Sequence, residues 1–218
     1  MSNLNFLHSG GNKVTLSAPA SNPTSNVTFR LPQEDGSSGQ VLRTDGNGNL
    51  SWYTIPTTTP GITMADQWRI SSFHAVPTQD SVISANWERV DGTAQGVYIP
   101  NGGMTQSSGV FSFPLTGIYL VSFQGYFEEN DSTSKAAVEM RASTNGGSSY
   151  SSIAYSPCSI SNLGSYTYNN VSMETTIDVT NVSNVKVYWQ TYSNTATALD
   201  GSSNQNRTYA TFIRLGDT

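Results

Sequence analysis

The chain has 218 residues, enough for one domain with an arm or for two small domains, and only 11% of them are charged. Serine, threonine, asparagine and glycine supply the polarity instead, a composition suited to exposed β-structure and to contact with sugars. Three lysines and seven arginines against fifteen acidic residues leave a net charge of −5, so a phosphate-tracking groove has no electrostatic basis and nucleic acid is not an expected partner.

The N-terminus, MSNLNFLHSGGNK, has no basic region followed by a long apolar run; neither a signal peptide nor membrane insertion is expected, and the chain is read as made in a cytoplasm. Residues 1–12 form an arm whose apolar residues, Leu4, Phe6 and Leu7, cannot fold alone. Two readings stay open: a plug that docks into a larger assembly, or the first strand of the shaft that begins at Lys13.

From Lys13 to Trp52, KVTLSAP and VTFRLP alternate apolar with polar residues and each run ends in proline, as short edge-limited strands do. QEDGSSGQVLRTDGNGNLSW then places two turn clusters around a short apolar strand. Gly36, Gly39, Gly46 and Gly48 permit the positive φ of tight turns, while Val41, Leu50 and Trp52 are too few for a private core. Residues 13–52 therefore read as a β shaft that borrows its apolar partner from another chain. YTIPTTTPGIT, residues 53–63, reads as an extended linker because of Pro56 and Pro60.

Beyond Ile62 the candidate strands are Trp68–Ser72, Val82–Val90, Val97–Ile99, Val110–Phe113, Ile118–Phe127, Lys135–Ser143, Ser152–Tyr155, Thr167–Val179, Val185–Tyr192 and Thr208–Leu215. Ten strands without a convincing helix indicate an all-β sandwich or barrel over residues 64–218. KAAVEMRAS has helical propensity, yet Ala137, Glu139 and Arg141 alternate with Val138 and Met140, and Asn145-Gly146-Gly147 makes a hairpin-like exit, so strand is expected. Along Ile118–Phe127 one face carries Tyr119, Val121 and Phe123 and the other Ile118, Leu120, Ser122 and Gln124. Apolar residues on both faces suit a strand buried in a sandwich and also in an interface between copies.

Two stretches carry resemblances. LPQEDGSSGQVLRTDGNGNLSW resembles the shaft segments of bacteriophage fibre proteins, which wrap as three intertwined copies. The pattern S-G-x-F-x-x-P-x-x-G-x-Y-x-x-x-F, set by Ser108, Gly109, Phe111, Pro114, Gly117, Tyr119 and Phe123, resembles the globular head of complement's first component, whose fold is shared with the tumour necrosis factor superfamily. RTYATFIRL, with Phe212 and Leu215, looks like that family's closing strand. The second resemblance implies a ten-strand jelly-roll knob that assembles as a homotrimer. Phe111, Pro114, Gly117, Tyr119, Phe123 and Phe212 would lie in its core, and both chain ends on one side. Ser156–Tyr168 departs from the family, so loop-borne functions are not carried over. Calcium is not carried over either, because Glu128, Glu129 and Asp131 fit a solvated acidic loop.

The single cysteine, Cys158, excludes an intrachain disulfide and a cysteine-rich zinc site and is expected to be a buried, unreactive thiol. Catalysis finds little support. Only His8 and His74 are available as imidazole bases, and a lone pairing of His74 with Asp80 is weaker than a surface or interface histidine. Fifteen carboxylates make a glycosidase-like pair inevitable by chance. No catalytic residue, cofactor or metal is expected.

Tyr150, Tyr155, Tyr166 and Tyr168 offer rings on which sugars stack, although packing in the sandwich or at a trimer seam suits each as well. Tyr150 and Tyr166 stand out beside the loop-tip glycines Gly146, Gly147 and Gly164, with Tyr168 a third candidate. The expectation is a non-enzymatic trimeric bacteriophage fibre located in the virion. Its arm would dock on other virion proteins and its knob on a host-surface glycan, as a short head fibre or decoration rather than a full tail fibre. A capsid cement protein and a small capsule-depolymerising enzyme are the alternatives.

Overall fold

The computed structural model describes residues 4–17, 19–21, 23–55, 61–92, 94–95, 97–129, 133–161 and 163–218. The linker prolines Pro56 and Pro60, and Asp131 of the acidic cluster, lie outside the described residues. The chain divides into two compact units, Met1–Thr58 and Thr59–Thr218, and the described residues contain no α-helix.

The first unit holds two hairpins. β1 (Leu4–Leu7) pairs antiparallel with β2 (Lys13–Leu16), and β3 (Gln40–Thr44) with β4 (Leu50–Thr54). The first hairpin joins the segments 1–12 and 13–52 that the sequence divided. VTFRLP is not a strand; its one ladder contact is a parallel bridge from Arg30 to Asn49, with the Arg30 amide donating to Gly48 and the Leu50 amide to Arg30. Alternation marks which side chains share a face, but a strand also needs a neighbouring backbone over several residues, and here one bridge is all there is.

The second unit is a sandwich of two antiparallel sheets. Its strands are β5 (Met64–Ile70), β6 (His74–Val76), β7 (Ser81–Val82), β8 (Trp87–Arg89), β9 (Thr105–Ser107), β10 (Val110–Ser112) and β11 (Gly117–Glu129). They are followed by β12 (Thr133–Ser143), β13 (Ser151–Ile160), β14 (Thr167–Val179), β15 (Lys186–Ser193), β16 (Thr197–Leu199) and β17 (Tyr209–Gly216). β11 is central in the first sheet: β14 flanks it on one side, and β17 and then β16 on the other, with β5 and β8 beyond β17 and β6 beyond β16. The second sheet runs β13-β12-β15-β10-β9, with β7 on the distal half of β15.

The ten expected strands resolve into these pieces for local reasons. Val82–Val90 breaks into β7 and β8 around Asn86, whose φ of 66° is left-handed. Val97–Ile99 contributes only the bridge of Tyr98 to Ala65. β6, β9 and β16 are three residues each, too short to leave a periodic signal. KAAVEMRAS lies within β12, paired on both sides by β13 and β15.

Tyr119, Val121, Phe123 and Phe127 of β11 face inward against Val187 and Trp189 of β15 and Val138 and Met140 of β12. Phe123 stacks on Trp189 at 5.2 Å, while Phe111 meets Trp87 edge-on at 4.9 Å and lies 5.3 Å from Phe212. The sequence motif is thus the corner through which the chain enters β11. Gly117 has φ +139°, and a Cβ there would lie 2.3 Å from the Gly216 carbonyl oxygen and against Arg214. Tyr119 is fully buried and its hydroxyl donates to the Leu115 carbonyl at 2.9 Å, closing the corner over a half-buried Pro114.

Two buried residues of β5, Asp66 and Arg69, make ion pairs with more exposed partners on β8 and just after it. The Asp66 carboxylate accepts from Arg89 at 3.0 and 3.1 Å, from the Met104 amide at 2.7 Å and from the Trp68 indole at 3.2 Å. Arg69 donates to Glu88 and Asp91. At the end of the sandwich where β11 begins, Met64 pairs with Arg214, and the Arg214 guanidinium reaches the Thr63 hydroxyl, the Thr116 carbonyl and Asp217. Both ends of this unit lie together there. The opposite, distal end is about 40 Å away along the thirteen residues of β11.

Candidate self-association and ligand surfaces

In the first unit, no described residue is buried. Leu4, Phe6, Leu7, Val14, Leu16, Val27, Phe29 and Leu31 are each more than half exposed, with Leu7 at 75% and Leu31 at 73%. Local polar chemistry nevertheless shapes this unit well. Asp45 Oδ1 accepts from the amides of Asn47 at 2.8 Å and Asn49 at 3.1 Å, and Oδ2 from Asn49 Nδ2 at 2.6 Å, which sets the β3–β4 turn. Those bonds, the Asn49 side chain's first, hold the Asp45 carboxyl below its usual range. Trp52 donates its indole N–H to the Glu34 carbonyl at 2.8 Å and lays its ring over Gly36, where a Cβ would lie 2.5 Å from the ring. Gly36 is required by that close approach and not by a left-handed φ, unlike Gly39, Gly46 and Gly48.

Leu4, Phe6 and Leu7 of the arm all lie in β1 and are all exposed, while His8 turns the chain, its Nδ1 accepting from the Gly10 amide at 3.1 Å. His74 is half-buried in β6, and burial keeps its imidazole below the ordinary value. Asp80 instead accepts from Gln190 Nε2 at 3.4 Å, so no His74–Asp80 pair forms. Cys158 is half-buried in β13, and burial pushes its thiol up to about 11.

The three tyrosines chosen from sequence do not converge. Tyr150 is at the end where β11 begins, half-buried and packed on Tyr188 at 4.6 Å, so it is not the exposed loop-tip ring expected. Tyr166 is at the distal end and 58% exposed. Tyr168 is a strand residue in β14, not a loop residue, and stacks on Tyr126 at 5.3 Å with the rings 6° from parallel. Loop-tip glycines mark where chain direction reverses, but which end of the sandwich each tip occupies depends on strand order.

The outward face of the first sheet has two halves. At the end where β11 begins it presents Ile118 and Leu120 of β11 with Ile213 and Leu215 of β17. Its distal half is a trough of about 580 Å³, lined by Gln124 and Tyr126 of β11, Tyr168 and Asn170 of β14, and Tyr209 with the preceding Asn206 and Arg207. The trough continues for about 420 Å³ past Ser122, Ser172 and Glu174. Arg207 pairs with Asp200 through two bonds of 3.1 and 2.8 Å at its margin. The Glu128 carboxylate is the main cause that raises the Tyr168 phenol above its ordinary value. Sequence reading missed Tyr126, Tyr209, Asn206 and Arg207. The outward positions of β11, every second residue from Ile118, carried the only signal.

No family model and no curated protein sequence matches the chain. Among solved structures it is similar to Eiger TNF from S. frugiperda, with a TM-score of 0.55 and 13% identity over 72% of this chain and 96% of that one. Murine APRIL at pH 8.5 aligns with a TM-score of 0.47 and 14% identity over 69% of this chain and 99% of that one. At these identities the first likeness shows fold alone, and it is the fold to which the sequence motif pointed: a tumour necrosis factor-like β-sandwich jelly roll.

Proposed function

We propose that the protein is a structural, non-enzymatic fibre of a bacteriophage particle, in which three copies wind their N-terminal units together and display jelly-roll knobs to a host-surface glycan. The observation that carries the self-association is the first unit's exposure: nine large apolar side chains among the described residues, Ile55 included, are more than half bare and no described residue is buried. Covering each such side chain contributes about 1.5–3 kcal/mol, and identical hairpins are the partners always present at equal concentration. The copy number of three follows from the two sequence resemblances. In the knob, Ile118, Leu120, Ile213 and Leu215 form the natural contact patch between copies, because interface cores favour apolar, uncharged groups.

Phage shaft segments are the sequence resemblance of residues 31–52. A neutral polar surface suits repeated weak sugar contacts, strengthened by avidity among three knobs. The arm residues Leu4, Phe6 and Leu7 are the candidates for docking on other virion proteins. Sedimentation equilibrium of the full chain tests the reading: three chains per particle are expected, and a monomer at micromolar concentration would overturn it. Purified protein should also compete with particles for adsorption to host cells, and failure to compete removes the attachment role while leaving the fibre.

A further inference from the structure

The geometry points to a cleft on the outward face of the second sheet as a site for the ammonium group of an amino sugar; this rests on the attachment reading above. Register builds the cleft. Ala137 of β12 lies between Tyr192 of β15 and Pro157 of β13, and Glu139, two residues on, lies between Gln190 and Tyr155. These side chains point away from the core, because Val138, Met140 and Trp189 alternate with them and fill it. With only a methyl group at Ala137, a depression of about 20 Å³ remains, lined by Asp80, Glu139, Tyr155, Gln190 and Tyr192. That is room for one group the size of a water molecule, which admits an ammonium and excludes a sugar ring.

The lining is the chemistry that an ammonium requires. Gln190 Nε2 donates to Glu139 at 2.5 Å and to Asp80 at 3.4 Å, so one amide gathers two carboxylates beside two tyrosine rings. The protein shows which ion the rings accept: Lys135 places its own Nζ 5.0 Å from the Tyr192 ring centroid and 5.5 Å from that of Tyr155. A hydrogen bond with Tyr155 first, with Asp80 among the smaller causes, raises the Lys135 ammonium above its ordinary value. Lys135 is exposed on a flexible stem, and an exposed cation–π contact is weak, so a ligand ammonium can replace it. Arg141, 3.7 Å from Glu139, directs Nη2 to the Tyr150 carbonyl at 2.9 Å. The apolar contact patch between copies belongs to the other sheet. This face carries Lys135, Glu139, Arg141 and Lys186, and charged groups, lysine and glutamate among them, are what interface cores exclude.

The test is a calorimetric titration of the full chain, in mild acid, with a chitosan tetrasaccharide, which carries amines, and with its N-acetylated chitin counterpart. The amine form is expected to bind and the acetylated form not. Binding should be about two- to fivefold weaker in Tyr155→Ala and in Tyr192→Ala, and about two- to fivefold tighter in Lys135→Ala, where the internal competitor is gone. Equal binding of the acetylated form overturns the ammonium site and leaves attachment standing. So does a Lys135→Ala variant that binds no more tightly, or tyrosine variants that bind as the parent does. Tighter binding of Nα-acetyl-lysine amide than of the amine form overturns the sugar as the source of the ammonium. A fall in sedimentation mass in Tyr155→Ala overturns the site too, because the cleft is then a seam between copies. Binding to neither tetrasaccharide overturns the cleft, and attachment falls with it only if the protein also fails to compete with particles for adsorption. Lys135 and Tyr155 are exposed, so their variants carry the test if Tyr192→Ala loses its fold.

Discussion

The two units are built from the same material, strands with period-two alternation, yet one buries its apolar face and the other leaves it bare. In residues 59–218, Tyr119, Val121 and Phe123 meet Trp189, Val138 and Met140 across a second sheet. In residues 4–55 the first hairpin carries Leu, Phe and Val on its strands and the second Val, Leu and Trp, and nothing is buried behind either. Alternation therefore specifies a face, not what covers it. Covering needs enough strands to build an opposing layer, and two isolated two-stranded hairpins cannot supply one.

The contrast can be broken most sharply from inside the knob. Asp66→Ala strands Arg89 and removes the acceptor of the Met104 amide, and should lower unfolding free energy by about 3–5 kcal/mol in denaturant titrations followed by tryptophan fluorescence. Phe111→Ala should cost a similar amount, about 3–5 kcal/mol, because its ring touches Trp87, Trp68, Trp189 and Phe212. If either variant melts as the parent does, the core has been placed wrongly. Gly117→Ala should follow at about 1–3 kcal/mol for the left-handed backbone, with the crowded Gly216 carbonyl adding to it.

The N-terminal unit should respond in the opposite manner. Replacing Leu4, Phe6 and Leu7 together by serine should shift the knob's thermal transition by no more than the equivalent of about 0.5 kcal/mol, yet reduce the sedimentation mass. A lowered knob transition with unchanged mass would place those side chains in an intrachain role. The smallest effect is one of pH. The Asp45 carboxyl is depressed in the folded turn, so its stabilisation is complete above the ordinary aspartate range and is lost as pH falls through the lowered value. Amide exchange at Asn47 and Asn49 should therefore quicken only as pH drops below the ordinary aspartate value, and lose that pH dependence, beyond intrinsic chemistry, in Asp45→Ala.

Much of the fold was legible because its signals are local. The corner at Ser108–Tyr119 combines a turn, a glycine that admits φ +139° and a tyrosine whose hydroxyl returns to Leu115, all within twelve residues. Long strands such as β11 and β14 announce themselves by alternation over thirteen residues. The candidate surfaces were barely legible. Tyr126, Tyr168 and Tyr209 come from three strands that the ladder brings side by side, and their chain separation hides the grouping. Tyr150 and Tyr166 looked equivalent beside their glycines, and strand order put them at opposite ends.

Composition and alternation by themselves determined an all-β chain, a first unit short of core and a knob with a defined corner, since each follows from side-chain chemistry and near-neighbour spacing. Only the tertiary structure decided which half of the first sheet's outward face is apolar and which is polar, and which tyrosines share a surface. Those depend on register and strand order, set by pairings between residues tens of positions apart.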